Sequence, residues 1–343
     1  MLSLRTLAIV TTSLACTLAG IGCAAPADGE AGVAEQHLED KTVAAARFSP
    51  YLTNLKGALE SGRTSEEIAN MLLSSGRPNA FSLQALCRLY ASRDPKFKEM
   101  RDDFKGLEDG IGGFDKWNGI FQSAVSEKKD AATITKLKAK KDAALADFTK
   151  LLTDRQWLPT AGSPGRIKLT EDFLKGFDFK SRAEDRKQVL GQMIKELDEI
   201  KSTPYDLTIL ENGNGIHELR RDIRWVLMEE LGLAGVVTLK NDTCAVPAYA
   251  SIPNDNRYGA LRSNENEPNP CEVSQCLIFK AAKTVSDLGD LKDQAEIEVN
   301  INGDADVVPA RLQPAAKAIQ DDIVKNDLIG RYSGQLKACR DSL

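Results

Sequence analysis

From about residue 40 onward, apolar residues recur at steps of three and four, the period of a helix with one buried face. Phe97, Met100, Phe104, Leu107 and Ile111 form one such stripe. Asp94-Pro95 precedes it as a cap followed by a proline in the first turn. Gly110, Gly112 and Gly113 are expected to interrupt it. Ile134, Leu137, Leu145, Phe148 and Leu152 mark another helix, and Val189, Leu190, Met193, Ile194, Leu197 and Ile200 make a clean stripe further on. Ile216, Leu219, Ile223, Val226, Leu227 and Leu231 repeat the spacing after an Asn-Gly turn. Thr64-Ser65-Glu66-Glu67 reads as a capping box, with Glu67 three places after the cap.

Strand signals are few. Gly235 to Leu239 reads as a short strand, and Ile297, Val299 and Ile301 alternate with polar residues as a second would. A long loop spans 241–271, a helix is expected from Glu272 to about Leu288, and Pro309 and Pro314 precede two last helices. Gln156 to Arg166 holds two prolines and two glycines and is the expected boundary, which divides the chain into a first helical half at 39–158 and a second at 159–343. The pattern predicts a mainly α protein with a minor β addition.

The amino end is patterned differently. Arg5 precedes an uncharged run from Leu7 to Ile21, and the next charge is Asp28. This reads as a secretory signal peptide over 1–22. The run is short and partly Thr, Ser and Gly, which makes it a poor membrane span. Gly20-Ile21-Gly22-Cys23 resembles a bacterial lipobox, in which the cysteine becomes the lipidated first residue. Ala25-Pro26-Ala27 offers an ordinary cleavage site instead. The reading taken is lipidation at Cys23, with a flexible tether of mostly small and acidic residues over 23–38. It places the protein outside the cytoplasm, in the cell envelope or periplasm, touching the membrane through its lipid alone.

Charge and cysteine content narrow the picture. The 343 residues carry 45 Lys+Arg against 50 Asp+Glu, a net charge of −5, which excludes a uniformly basic nucleic-acid coat. His37 and His217 are the only two histidines, so a His-rich metal site is excluded. Beyond Cys16 and Cys23 lie Cys87, Cys244, Cys271, Cys276 and Cys339, an odd number, so at least one is unpaired or bonded to another chain. Cys87 sits in a helical apolar stretch and reads as a buried free thiol. Cys244 and Cys271 bound the long loop, and a bridge between them would staple it, leaving Cys276–Cys339 as a second pair. Cys271 and Cys276 do not have the spacing of a zinc or redox site, and no metal is expected.

The helix starting near Gly215 carries the candidate chemistry. At helical spacing its apolar, acidic and basic residues fall on three separate stripes. The basic one joins His217, Arg220, Arg221 and Arg224 within about 100° of arc. Guanidinium forks match phosphate oxygens, so such a stripe can line a track for a polyanion. Lys98, Arg101 and Lys105 form a milder stripe on the helix after Pro95. Solvated faces tied up in ion pairs would give the same patterns.

His217-Glu218-Leu219-Arg220, followed by Arg224, resembles the second histidine motif of the CHAD family, the conserved histidine α-helical domains. Leu288-Gly289-Asp290-Leu291-Lys292-Asp293 is similar to the L-G-x-x-x-D segment found later in each half of that family. Ile111-Gly112-Gly113-Phe114-Asp115 fits it loosely in the first half. No H-x-x-R precedes the helix at Phe97, and His37-Leu38-Glu39-Asp40-Lys41 is a poor counterpart. The resemblance implies two pseudo-symmetric helical bundles that bind inorganic polyphosphate in a basic central groove.

Enzyme motifs are absent. His217-Glu218-Leu219-Arg220-Arg221 is not a zinc H-E-x-x-H, because Arg221 holds the second ligand place. There is no nucleophile elbow, phosphate loop or dinucleotide fingerprint. The expected function is non-catalytic and cofactor-free: binding of polyphosphate or another polyanion, with no nucleic-acid partner. The alternative is a structural or protein-partner-binding envelope lipoprotein.

Overall fold

The computed structural model describes residues 43–60, 63–160, 162–211, 213–233, 235–241, 244–252, 261, 270–302 and 306–343. The expected signal peptide, the tether, His37 and Cys23 lie outside the described residues, as does most of the loop after Ile252. Among the described residues no helix is long and apolar enough to cross a membrane.

The fold is mainly α. In chain order the helices are α1 (Ser49–Leu59), α2 (Ser65–Met71), α3 (Arg77–Tyr90), α4 (Pro95–Ser126), α5 (Ala131–Asp154), α6 (Arg166–Gly176), α7 (Arg182–Ser202), α8 (Ile216–Gly232), α9 (Gln275–Asn302), α10 (Gln313–Lys325) and α11 (Leu328–Asp341). A π-helical turn at Leu72–Gly76 leads into α3. Local chemistry sets several of the starts. Thr64 and Glu67 form the expected capping box, and Asp94 caps α4 through the Lys96 amide. Ser181 accepts the Glu184 amide at the head of α7.

Two helices form the centre. α3 packs on α4 and α8, and α8 packs on α9 and α7. Phe81 meets the Trp225 ring, and a side chain at Gly232 would touch Leu86. These contacts advance together along both helices, so α3 and α8 run parallel. The two halves repeat one arrangement. Arg77 at the start of α3 lies over Gly112 of α4, where a Cβ would come within 3.2 Å of its guanidinium. Arg220 in α8 lies over Gly289 of α9, where a Cβ would come within 3.0 Å. In both places glycine lets an arginine rest on the neighbouring helix backbone.

The halves share one core, which runs from Ala44 to Leu336. The chain after the Gln156–Arg166 break still packs on the first half. Phe173, Phe177 and Phe179 stack edge-on against Phe97, and Lys56 of α1 bonds Glu171 of α6. The Gln156–Arg166 break is therefore not a gap in the packing. Buried charge also joins its two sides. Arg88 of α3 bonds Glu196 of α7 at 2.6 Å and Glu229 of α8 at 3.1 Å. Arg47 bonds Asp185 at 2.6 Å, with the Tyr90 hydroxyl donating to the same oxygen.

Several expectations are corrected. Gly110, Gly112 and Gly113 do not break α4, which continues to Ser126. A Cβ at Gly110 would lie 2.7 Å from the Phe148 ring, so this glycine is a contact point for α5 rather than a stop. The strand expected at Ile297–Ile301 is the end of α9, since three alternating residues are too few to override a running helix. The partner of β1 (Val237–Lys240) is instead β2 (Cys271–Ser274), parallel, with Val237 opposite Cys271. The helix expected from Glu272 accordingly starts at Gln275.

The cysteine pairing changes with it. The bonds are Cys244–Cys276, with Cα atoms 5.6 Å apart, and Cys271–Cys339, at 5.5 Å, not Cys244–Cys271 or Cys276–Cys339. Pairing of β2 with β1 buries Cys271 against α11 and leaves Cys276, in the first turn of α9, to meet Cys244. Cys87 is the buried free thiol, and burial pushes its pKa up. Peptide mapping without reduction is expected to recover the 244–276 and 271–339 cross-links and an unmodified Cys87. Recovery of a 244–271 cross-link would overturn this pairing.

Candidate arginine site at the seam of α3 and α8

Ile216, Leu219, Ile223, Val226 and Leu227 are buried, so α8 is seated by its apolar stripe and its basic residues fall beside it. Their fates differ. His217 turns away from the other basic residues, with Nδ1 3.4 Å from Glu211. Lys292 of α9 reaches the same carboxylate at 2.8 Å. Arg221 is exposed and pairs with Glu218 one turn back. Arg220 donates from Nε to the Val285 carbonyl at 3.3 Å as it crosses Gly289. The two segments that carry the family resemblance, His217–Arg220 and Leu288–Asp293, thus meet in space.

Arg224 points across the seam. Its guanidinium lies 4.6 Å from the centre of the Phe81 ring and 5.8 Å from that of Trp225. Its Nε is buried without a hydrogen-bond partner. Burial pulls its pKa down to about 10, helped by Arg220, Arg77 and Arg221 and opposed by Glu108. Arg77 brings a second guanidinium to the same Phe81 ring, at 5.8 Å. It bonds Glu108 at 2.9 Å and lies 3.9 Å from Asp115. Neither Arg220 nor Arg224 has a carboxylate partner among the described residues. One guanidinium from each half therefore flanks the same aromatic ring, with the acids on the Arg77 side and none paired with Arg224 among the described residues.

The Lys98, Arg101 and Lys105 stripe does not join this cluster. Arg101 pairs with Asp102, Lys105 pairs with Asp109, and Lys98 is exposed. Arg101 lies about 16 Å along α4 from the glycine that Arg77 covers. Arg77 and Phe81 were not legible as site residues. At the place matching His217-Glu218-Leu219-Arg220, the first half reads Ser74-Ser75-Gly76-Arg77, so a search for histidine passes over it. The usable signal was the later glycine: Arg77 stands to Gly112 as Arg220 stands to Gly289.

Guanidinium groups donate hydrogen bonds and keep their protons, so the cluster can hold an anion. Among the described residues no group of three or more His, Cys, Asp or Glu side chains could hold a metal ion. No family model, curated protein or solved structure matches the chain.

Proposed function

We propose that this protein binds a phosphate-rich polyanion, without catalysis, at the seam of α3 and α8, as a divergent relative of the CHAD domains. One observation carries this reading: Arg220 and Arg224 are half-buried and have no carboxylate partner among the described residues, while Arg77 joins them from the other half. An anion placed there would receive hydrogen bonds from cations already partly stripped of water. Arg77, Arg220 and Arg224 are the proposed ligands, and His217, turned to Glu211, is not among them. The protein is proposed to act outside the cytoplasm, held by a lipid on Cys23. The mass of the mature amino-terminal peptide, starting at a lipidated Cys23 or at Asp28, decides that point.

The test is a calorimetric titration with long-chain polyphosphate at low and high salt. Arg220→Gln with Arg224→Gln is expected to weaken binding about tenfold per arginine, the scale of a charged hydrogen bond. Lys98→Gln, Arg101→Gln and Lys105→Gln together are expected to change it less than about twofold, because exposed paired charges contribute little. Equal loss in both variants would remove the site. No binding by the unmodified protein at low salt would leave the structural envelope lipoprotein, which the pairing of Arg221, Arg101 and Lys105 with nearby acids favours.

A further inference from the structure

The hairpin of α4 and α5 extends past the core. The last core residue of α4 is Phe114, and only Ala124 is buried beyond it. In α5 the buried residues are Phe148 and Leu152, near its carboxyl end. Lys141, 3.8 Å from Glu66 of α2, marks the root of the hairpin. From Phe114 to Ser126 α4 rises about 18 Å, so the free arm is a third of a bilayer's thickness or more.

The arm is chemically unlike the rest of the molecule. From Asp115 to Asp142 stand seven lysines against four acids, a net of +3 in a chain whose total is −5, with Lys129 on Glu127 and Lys138 on Asp142. Arginine is missing from this stretch. Apolar side chains accompany the lysines. Ile120 is 38% exposed and Val125 43%. Trp117 and Phe121 are half-buried under lysine tips, with Lys140 Nζ 4.2 Å from the Trp117 ring centre and Lys141 Nζ 5.7 Å from that of Phe121. Long lysine stems over aromatic rings beside exposed aliphatic groups are how a helix meets a lipid interface.

We infer that the α4–α5 arm docks on an anionic lipid bilayer surface. Charge selects the occupant. The body carries the opposite sign and is repelled by anionic headgroups, so attraction is confined to the arm and fixes the molecule's orientation. Lysine tips pair with headgroups as point charges. The planar forks that grip a phosphate chain two oxygens at a time are found at the arginine seam instead. The inference does not depend on polyanion binding at that seam, nor on a lipid at Cys23.

Trp117 is a built-in reporter, because Trp157 and Trp225 are 1% and 8% exposed. The experiment follows its emission in the full chain carrying Cys23→Ala, titrated with phosphatidylcholine vesicles and with mixed phosphatidylcholine–phosphatidylglycerol vesicles. A blue shift with the mixed vesicles alone, reversed by salt, is expected. Lys128→Gln, Lys129→Gln, Lys136→Gln and Lys138→Gln together leave the Trp117 contacts in place. They are expected to weaken vesicle binding on the order of 100-fold. Ile120→Ser with Val125→Ser is expected to keep salt-sensitive binding but reduce the shift. An equal response to both vesicle types, or full affinity in the lysine variant, would overturn the inference. A shift with long-chain polyphosphate and none with vesicles would overturn it too, and would make the arm a second site for a soluble polyanion.

Discussion

Raising the pH from 4.5 to 8 is expected to cost this protein about 4 kcal/mol of stability through Glu230 alone. Glu230 is fully buried in α8, and burial pushes its pKa up to about 8 against the pull of a Tyr332 hydrogen bond. The folded state keeps the proton through a range in which the unfolded chain gives it up. Stability from this group is therefore complete below the unfolded value of 4.5 and drains away as pH climbs to 8. Glu229 beside it shifts in the same direction, by burial and by Glu196, and steepens the fall. Glu230→Gln keeps the Tyr332 contact without the titration. Urea unfolding of both proteins at pH 4.5, 6, 7 and 8 checks this. The variant should gain several kcal/mol over the unmodified chain at pH 8 and almost nothing at pH 4.5. A difference that stays constant with pH would show that Glu230 does not titrate this way.

Arg88→Met is expected to destabilise the fold by about 3–5 kcal/mol at neutral pH, the usual cost of stripping one partner from a buried ion pair. Arg88 holds Glu196 and Glu229 at the junction of α3, α7 and α8, and these carboxylates are 9% and 0% exposed. Without the guanidinium, burial and Glu196 act unopposed on Glu229. Adding Glu196→Gln and Glu229→Gln to Arg88→Met should recover most of the loss, because two neutral amides can bond each other and need no counter-charge. Thermal melts of the single and triple variants decide it. A triple variant no more stable than the single one would mean that Arg88 contributes through packing on Trp225, 5.2 Å away, and not through charge.

Signals carried within one turn of chain were legible. The Thr64–Glu67 box, the Asp94 cap and the stripes of α7 and α8 could be read directly, because each is decided by neighbours three or four residues apart. What depended on distant partners was not. Gly110 looks the same in a sequence whether it ends a helix or receives Phe148 from another. Cys271 could be assigned only once β2 was known to pair with β1. At the candidate site, Arg220 and Arg224 were visible on a helical wheel, but Arg77 was hidden because its role depends on Gly112. His217 drew notice as a rare residue, yet its contact with Glu211 arises from a turn that its own helix periodicity does not encode.

The two disulfides impose an order on biogenesis. Cys271 and Cys276 emerge five residues apart, and contact between near neighbours in a chain is favoured over contact between distant ones. The bonds found join Cys244 to Cys276 and Cys271 to Cys339, across 32 and 68 residues. A chain oxidised while it is still emerging presents Cys244, Cys271 and Cys276 before the helix bearing Cys339 arrives. Of the three pairs these allow, only Cys244–Cys276 is native, so a Cys271–Cys276 or Cys244–Cys271 bond made at that stage must be undone by thiolate exchange before Cys271 can join α11. The Cys271–Cys339 bond therefore waits for the carboxyl end of the chain, and a chain truncated before Cys339 can close Cys244–Cys276 but leaves Cys271 without its partner.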